Sequence, residues 1–134
     1  MKIVVIDGQG GRMGRAIIEE LRAANVEAEI IAVGTNSVAT ATMVAGKADA
    51  GATGENALIV NCRDADYIIG PLGIVIADAL HGEISPRMAT AVGQSKAKKI
   101  LLPVSRCNTS VVGVDELPFA ELVKLAVRQV TGAH

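Results

Sequence analysis

Aromatic residues are nearly missing from this chain: Tyr67 and Phe119 are the two present, and there is no tryptophan. Platforms on which nucleobases stack are therefore absent. An excess of either charge is lacking too. Lys and Arg number 13 against 14 Asp and Glu, a formal net charge of −1, which leaves no electrostatic footprint for duplex nucleic acid or an anionic membrane. Two cysteines, Cys62 and Cys107, lie far apart without a CxxC pair or a histidine cluster. Neither a zinc site nor a disulfide framework is indicated, which fits a reduced, cytosolic protein. Long apolar runs are also missing. The stretch from Tyr67 to Ala77, flanked by Asp66 and Asp78, is about half of a bilayer span. The run Ile3-Val4-Val5-Ile6 is too short for a secretory signal. The expectation is a soluble, cytoplasmic protein with no nucleic-acid or membrane partner and no metal.

What is present is aliphatic. Hydrophobic residues make up 50% of the 134 residues, and mean hydropathy is +0.39. This length suits one domain, residues 1–134, with a core of Ile, Val, Leu and Ala. Such a core fits a parallel sheet whose strands are buried on both faces. An apolar chain of this size is also expected to expose a patch that a second copy covers, giving a homo-oligomer, a dimer or larger.

The order of elements supports the same class. Residues 2–6 read as a buried strand that stops at Gly8-Gln9-Gly10-Gly11. From Arg12 the period changes: Met13, Ile17 and Leu21 recur every fourth residue, predicting an amphipathic helix over 12–24. Residues 28–33 form a second strand, so the first 33 residues make a βαβ unit. Thr35, Asn36 or Ser37 caps the next helix, which ends near Gly46, and residues 46–54 read as a loop. Ala57–Val60 could be a strand, but Thr53 as a cap and the polar Asn61, Arg63 and Asp64 favour a short helix to about Ala65; a third strand at Asp66–Ile69 and a helix over Ile74–Leu80 follow. Ser85-Pro86 then caps a helix over 87–94, and a fourth strand starts at Lys98. Beyond the loop 105–110, a short strand at 111–114 and a helix over 115–130, with Leu122, Leu125, Val127 and Val130 inward, close the chain. The alternation predicts an α/β fold, a three-layer parallel sheet of four to five strands with helices on both faces.

In such sheets ligands bind at the carboxyl ends of the strands, where strand order reverses. Four loops belong there: 7–14, 34–37, 70–73 and 105–110. In the first, Gly8, Gly11 and Gly14 let the backbone pass close to a ligand, and the amides opening the helix form an anion seat for a phosphate or pyrophosphate. The candidate cofactor contacts are Gly8, Gln9, Gly10, Gly11, Arg12, Met13 and Gly14, with Thr35 and Asn36 from the second loop and Gly70 and Pro71 from the third. Gly11→Val is expected to abolish binding while leaving the fold. Two features depart from the dinucleotide pattern. The end of the second strand, Gly34-Thr35-Asn36-Ser37, has neither the acid that holds a ribose nor an Arg for a 2′-phosphate. Asp7 places a carboxylate beside the anion seat. A P-loop is excluded, because Gly46-Lys47 is followed by Ala48.

The segment Gly8-Gln9-Gly10-Gly11-Arg12-Met13-Gly14-Arg15 resembles the nucleotide-binding turn of dihydrodipicolinate reductases. That resemblance implies a Rossmann-like fold and NAD(P)H, held by Gly8, Gly11, Arg12, Met13 and Gly14. It covers about the first 25 residues, and the paired histidines of that family's substrate domain have no counterpart, since His81 and His134 stand alone. Along its full length, through Ala32–Ser37, Gly51–Asn56, Gly70–Gly73 and Pro103–Asn108, the chain is similar to a family of short bacterial proteins of unknown function. Gly8–Gly14 with Ala32-Val33-Gly34-Thr35-Asn36 also resembles the first βαβ unit of bacterial tubulin-like GTPases, whose later glycine-rich phosphate loop is missing here.

Among reactive residues, Cys107 lies between Arg106 and Asn108, and a guanidinium beside a thiol lowers its pKa. Arg106, Cys107, Asn108 and Thr109 are candidate contacts to a substrate or second phosphate, in a loop expected to face the glycine turn. Asp7 is a candidate base or metal ligand without a partner in sequence, Cys62 reads as packing, and His81 reads as the end of a helix. The function expected is nucleotide binding, with NAD(P) ahead of other nucleotides and a GTP-binding fragment behind. The alternative is a non-catalytic oligomeric binding or assembly module whose glycine turn is structural. If the protein is an enzyme, an NAD(P)-dependent oxidoreductase, its substrate domain must come from a partner or second subunit.

Overall fold

The computed structural model describes residues 1–104 and 107–132. Strand β1 (Lys2–Asp7) runs through the middle of the sheet, and its residues Ile3 to Ile6 have no exposed surface. Helix α1 (Arg12–Ala23) follows, burying Gly14, Ile17, Ile18 and Leu21 along one stripe. Then come β2 (Glu29–Gly34), α2 (Ser37–Ala45), β3 (Ala50–Thr53) and α3 (Glu55–Cys62). The second half contains β4 (Tyr67–Pro71), a 3₁₀ turn at Leu72–Val75, α4 (Pro86–Gln94), β5 (Lys98–Leu102) and α5 (Phe119–Thr131).

All pairings are parallel, in the order β3-β2-β1-β4-β5. The chain walks outward from β1 to β3, then crosses back to β4 on the other side of β1. Right-handed crossovers fix the layers: α1 and α2 cover one face, and reversing direction puts α3 and α4 on the other. Side chains of β1 alternate accordingly. Ile3 and Val5 pack with Ile17, Leu21, Met43 and α5, whereas Val4 and Ile6 pack with Leu58, Ile74, Ile84 and Met88. The fold is α/β, Rossmann-like and three-layered, as the alternation of elements predicts.

Several local readings are corrected. Residues 50–53, expected as loop, form the edge strand β3, paired with β2 from Ile31↔Ala50 to Gly34↔Thr53. Ala-Gly-Ala-Thr carries no aliphatic pattern because α2 lies tight against it: a Cβ on Gly51 would stand 2.5 Å from Val44 Cγ2. No helix spans 74–80. The 3₁₀ turn gives way to tight turns in which Asp78, Leu80 and His81 take positive φ (65°, 57° and 55°), a conformation that ends any right-handed helix. The apolar residues Ile74, Ala79, Leu80 and Ile84 are buried without helical spacing. Residues 111–114 form no strand. Helix α5 starts only at Phe119, because Pro118 disfavours helical geometry at Leu117. It buries Val123, Ala126 and Val127, leaving Leu125 41% exposed.

Candidate functional site

The turn after β1 lies at the carboxyl end of the central strand, beside the point where the order reverses. Gln9 and Gly11 take left-handed φ (50° and 75°), and the Gly11 N–H donates to the Gly8 carbonyl at 3.0 Å. Gly11 occupies the N-cap of α1 and has no side chain to cap it. Asp7 does that work instead. Its Oδ1 accepts from the Gly8 N–H and its Oδ2 from the Gly14 N–H, both at 2.8 Å. Asp7 is 7% exposed. Burial pushes its pKa up, the amides of Gly14, Gly8 and Met13 pull it down, and the nearby charge of Glu83 adds to the rise. The carboxylate that looks misplaced in sequence is a helix cap, held by the positive end of α1.

The glycines of the turn divide by role. Gly11 and Gly14 make room for α2: a Cβ on Gly11 would lie 2.5 Å from the Ala39 carbonyl oxygen, and one on Gly14 would strike Met43. Gly8 makes room for Thr35, Leu80 and Glu83. Only at Gly10 is nothing within 4 Å of an added Cβ. Gly8, Gly11 and Gly14 thus admit neighbouring parts of the chain, while Gly8 and Gly11 also line the hollow over the turn. Gly11→Val forces both a left-handed φ on a branched residue and a backbone clash, so it disturbs the fold itself.

Glu83 is the group that sequence reading missed. It comes from the turns after β4, and its Oε1 accepts from the Gln9 N–H (2.9 Å), the Thr35 hydroxyl (2.5 Å) and the Asn36 Nδ2 (2.9 Å). Burial acts to raise its pKa, but the bonds from Thr35, Gln9 and Asn36 and the neighbouring His81 outweigh it, so the group titrates below the usual carboxylate range. Nothing in the spacing of Gly82-Glu83 signals this, because the preceding residues read as helix.

Thr35 and Asn36, expected as cofactor contacts, are committed to the protein. Thr35 donates to Glu83, while Asn36 caps α2 through Oδ1 to the Ala39 N–H (2.9 Å) and donates through Nδ2 to Glu83 and the Gln9 carbonyl. Gly70 and Pro71 end β4 beside β1 and are buried, with Gly70 passing close to the Ile6 carbonyl. What the turn leaves open is a hollow of about 340 Å³ over residues 7–13. Among the described residues, the amides of Gly10 and Arg12 have no acceptor, and the exposed Arg12 side chain is in no ion pair.

The remaining candidates lie elsewhere. Arg106 and His134 fall outside the described residues. Cys107, Asn108 and Thr109 are exposed, and the Thr109 hydroxyl turns back onto the Cys107 carbonyl (3.3 Å). The chain after them lines an apolar hollow with β5 and α5 through Val111, Val114 and Leu117. The strand before them, β5, is an edge strand, separated from β1 by β4. Burial pushes the Cys62 thiol up to about 11, which leaves it inert packing. His81 ends no helix, and no group of metal-ligating side chains occurs among the described residues.

The family described as "Domain of unknown function (DUF3842)" matches residues 2–134. The chain belongs to that family. No curated protein matches the chain. Among solved structures, the crystal structure of a dodecameric FMN-dependent UbiX-like decarboxylase from Escherichia coli O157:H7 resembles it with a TM-score of 0.49 and 23% identity, over 98% of this chain and 76% of that one.

Proposed function

We propose that this protein binds a nucleotide at the glycine turn, with NAD(P) ahead of other nucleotides and residues 1–134 acting as one domain. The observation that carries the reading is the pair of acceptor-free amides, Gly10 and Arg12, together with the exposed Arg12 side chain at the positive end of α1. Those donors fit a phosphate or pyrophosphate. Asp7 lies on the inner side of the turn, bonded to the Gly8 and Gly14 amides, and leaves these outer donors available. No helix among the described residues is long and apolar enough to cross a membrane, in keeping with a cytoplasmic protein. If NAD(P) serves hydride transfer here, a partner or second subunit supplies the substrate site.

A thermal-shift panel of NAD, NADP, FMN, FAD, GTP, ATP and phosphate tests the reading. Stabilisation by a nucleotide is expected, and no shift at millimolar concentration overturns it. One observation favours the second reading, a structural turn in an assembly module: Asp7 and Glu83 already occupy the Gly8, Gln9 and Gly14 amides. Under that reading phosphate and nucleotides alike leave the melting temperature unchanged.

A further inference from the structure

The acid that a dinucleotide site places at the end of its second strand is absent here, yet a carboxylate reaches that place from another segment. Glu83 sits between the glycine turn and the β2–α2 loop, anchored through Oε1 to Gln9, Thr35 and Asn36. All three bonds go to the same oxygen. Oε2 has no partner among the described residues, and no fully buried side-chain oxygen or nitrogen there is left without one, so Oε2 of the half-buried Glu83 is not sealed from solvent. Gly8 carries no side chain where a Cβ would stand 3.0 Å from Glu83 Oε1 and 2.8 Å from Thr35 Oγ1.

We infer that Glu83 reads the ribose of the bound nucleotide, its Oε2 accepting hydrogen bonds from a free 2′,3′-diol, and that it selects NAD against NADP. The inference rests on the nucleotide-binding reading above. A carboxylate accepts from two vicinal hydroxyls, and a protein acid in this place is what holds the ribose 2′-hydroxyl in dinucleotide sites. A 2′-phosphate would instead bring about two further negative charges against Glu83. The anchoring supports this role, because an acceptor fixed by three donors meets the sugar without losing side-chain freedom on binding. The position also fits: Glu83 is bonded to the amide of Gln9, next to the Gly10 amide offered to the phosphate, and to Thr35 and Asn36 in the loop after β2.

Calorimetric titration of the wild-type protein with NAD, NADP and ADP-ribose tests it, alongside Glu83→Gln. The amide keeps an oxygen for Gln9, Thr35 and Asn36 but replaces the free acceptor with a donor. Wild type is expected to bind NAD and ADP-ribose at least about tenfold more tightly than NADP. In Glu83→Gln, NAD affinity falls, NADP affinity holds or rises, and the preference shrinks to within about threefold. Equal or tighter binding of NADP by wild type overturns the inference, whether or not the variant folds. A variant that weakens NAD and NADP by the same factor also overturns it, since that is what a purely structural bridge does. Binding of another nucleotide with none of NAD or NADP overturns the role of Glu83 alone. A flat response to the whole nucleotide panel overturns the binding reading and this inference with it.

Discussion

Asp7 and Glu83 face the same turn and titrate in opposite directions, which gives the site a pH signature. Burial raises the Asp7 pKa above its ordinary 3.8, so the folded state holds that proton to higher pH than the unfolded state. Its contribution to stability is greatest in acid and declines as pH rises from 3.8 through the raised value; above that, the buried charge is a cost. Glu83 is lowered from 4.5 by the donors that grip it. Its contribution is present above 4.5 and is lost as pH falls through the lowered value. Asp7→Asn is therefore expected to remove the part of the stability curve that declines above pH 3.8, and Glu83→Gln the part that rises towards 4.5. Urea denaturation across this range checks both. An Asp7→Asn curve with the wild-type slope would show that the carboxylate is as well solvated folded as unfolded.

At the scale of elements, α4 is where the chain states its own boundaries. Ser85 Oγ accepts from the Met88 N–H at 3.2 Å, Pro86 opens the helix, and the Ser85 hydroxyl donates to Glu55 at 2.5 Å. Ser85→Ala removes the cap and the link to α3, with an expected loss of about 1–2 kcal/mol at unchanged denaturant slope. A loss below about 0.3 kcal/mol would mean that tertiary packing alone sets the start of α4. This cap and the βαβ unit were legible because their signals are local: a serine before a proline, and branched aliphatics giving way to a four-residue period at Arg12. The edge strand β3 was not, since Ala50-Gly51-Ala52-Thr53 is a strand only through β2 and the nearness of α2. The segment 74–84 misled for a related reason. Its apolar run from Ile74 to Ala77 reads as the start of a helix, but left-handed residues at 78, 80 and 81 fold it into turns that deliver Glu83 to the site. The glycine turn was visible as a motif, whereas the division of its glycines between protein and open space required the position of α2.

Across the whole molecule, the exposed aliphatics are uneven. Val38, Val44 and Val60 stand exposed singly on α2 and α3, whereas Val112 is 98% exposed and Val114, Leu117, Phe119 and Leu125 are each about 40% exposed or more in the chain between β5 and α5 and on α5 itself. We expect this side to join copies of the chain, with light scattering at micromolar concentration giving a mass above 13.8 kDa; a monomer would leave the patch without that purpose. The nucleotide is placed instead at the carboxyl ends of β1 and β2. The most direct test of that placement is Gly10→Val, because Gly10 has open space above it and does not take a left-handed φ. Titrating wild type and Gly10→Val with NAD by calorimetry should show wild-type binding weakened at least about tenfold in the variant, with the melting temperature unchanged. Equal affinity in the two proteins would contradict the account, because the phosphate would then lie somewhere other than the turn.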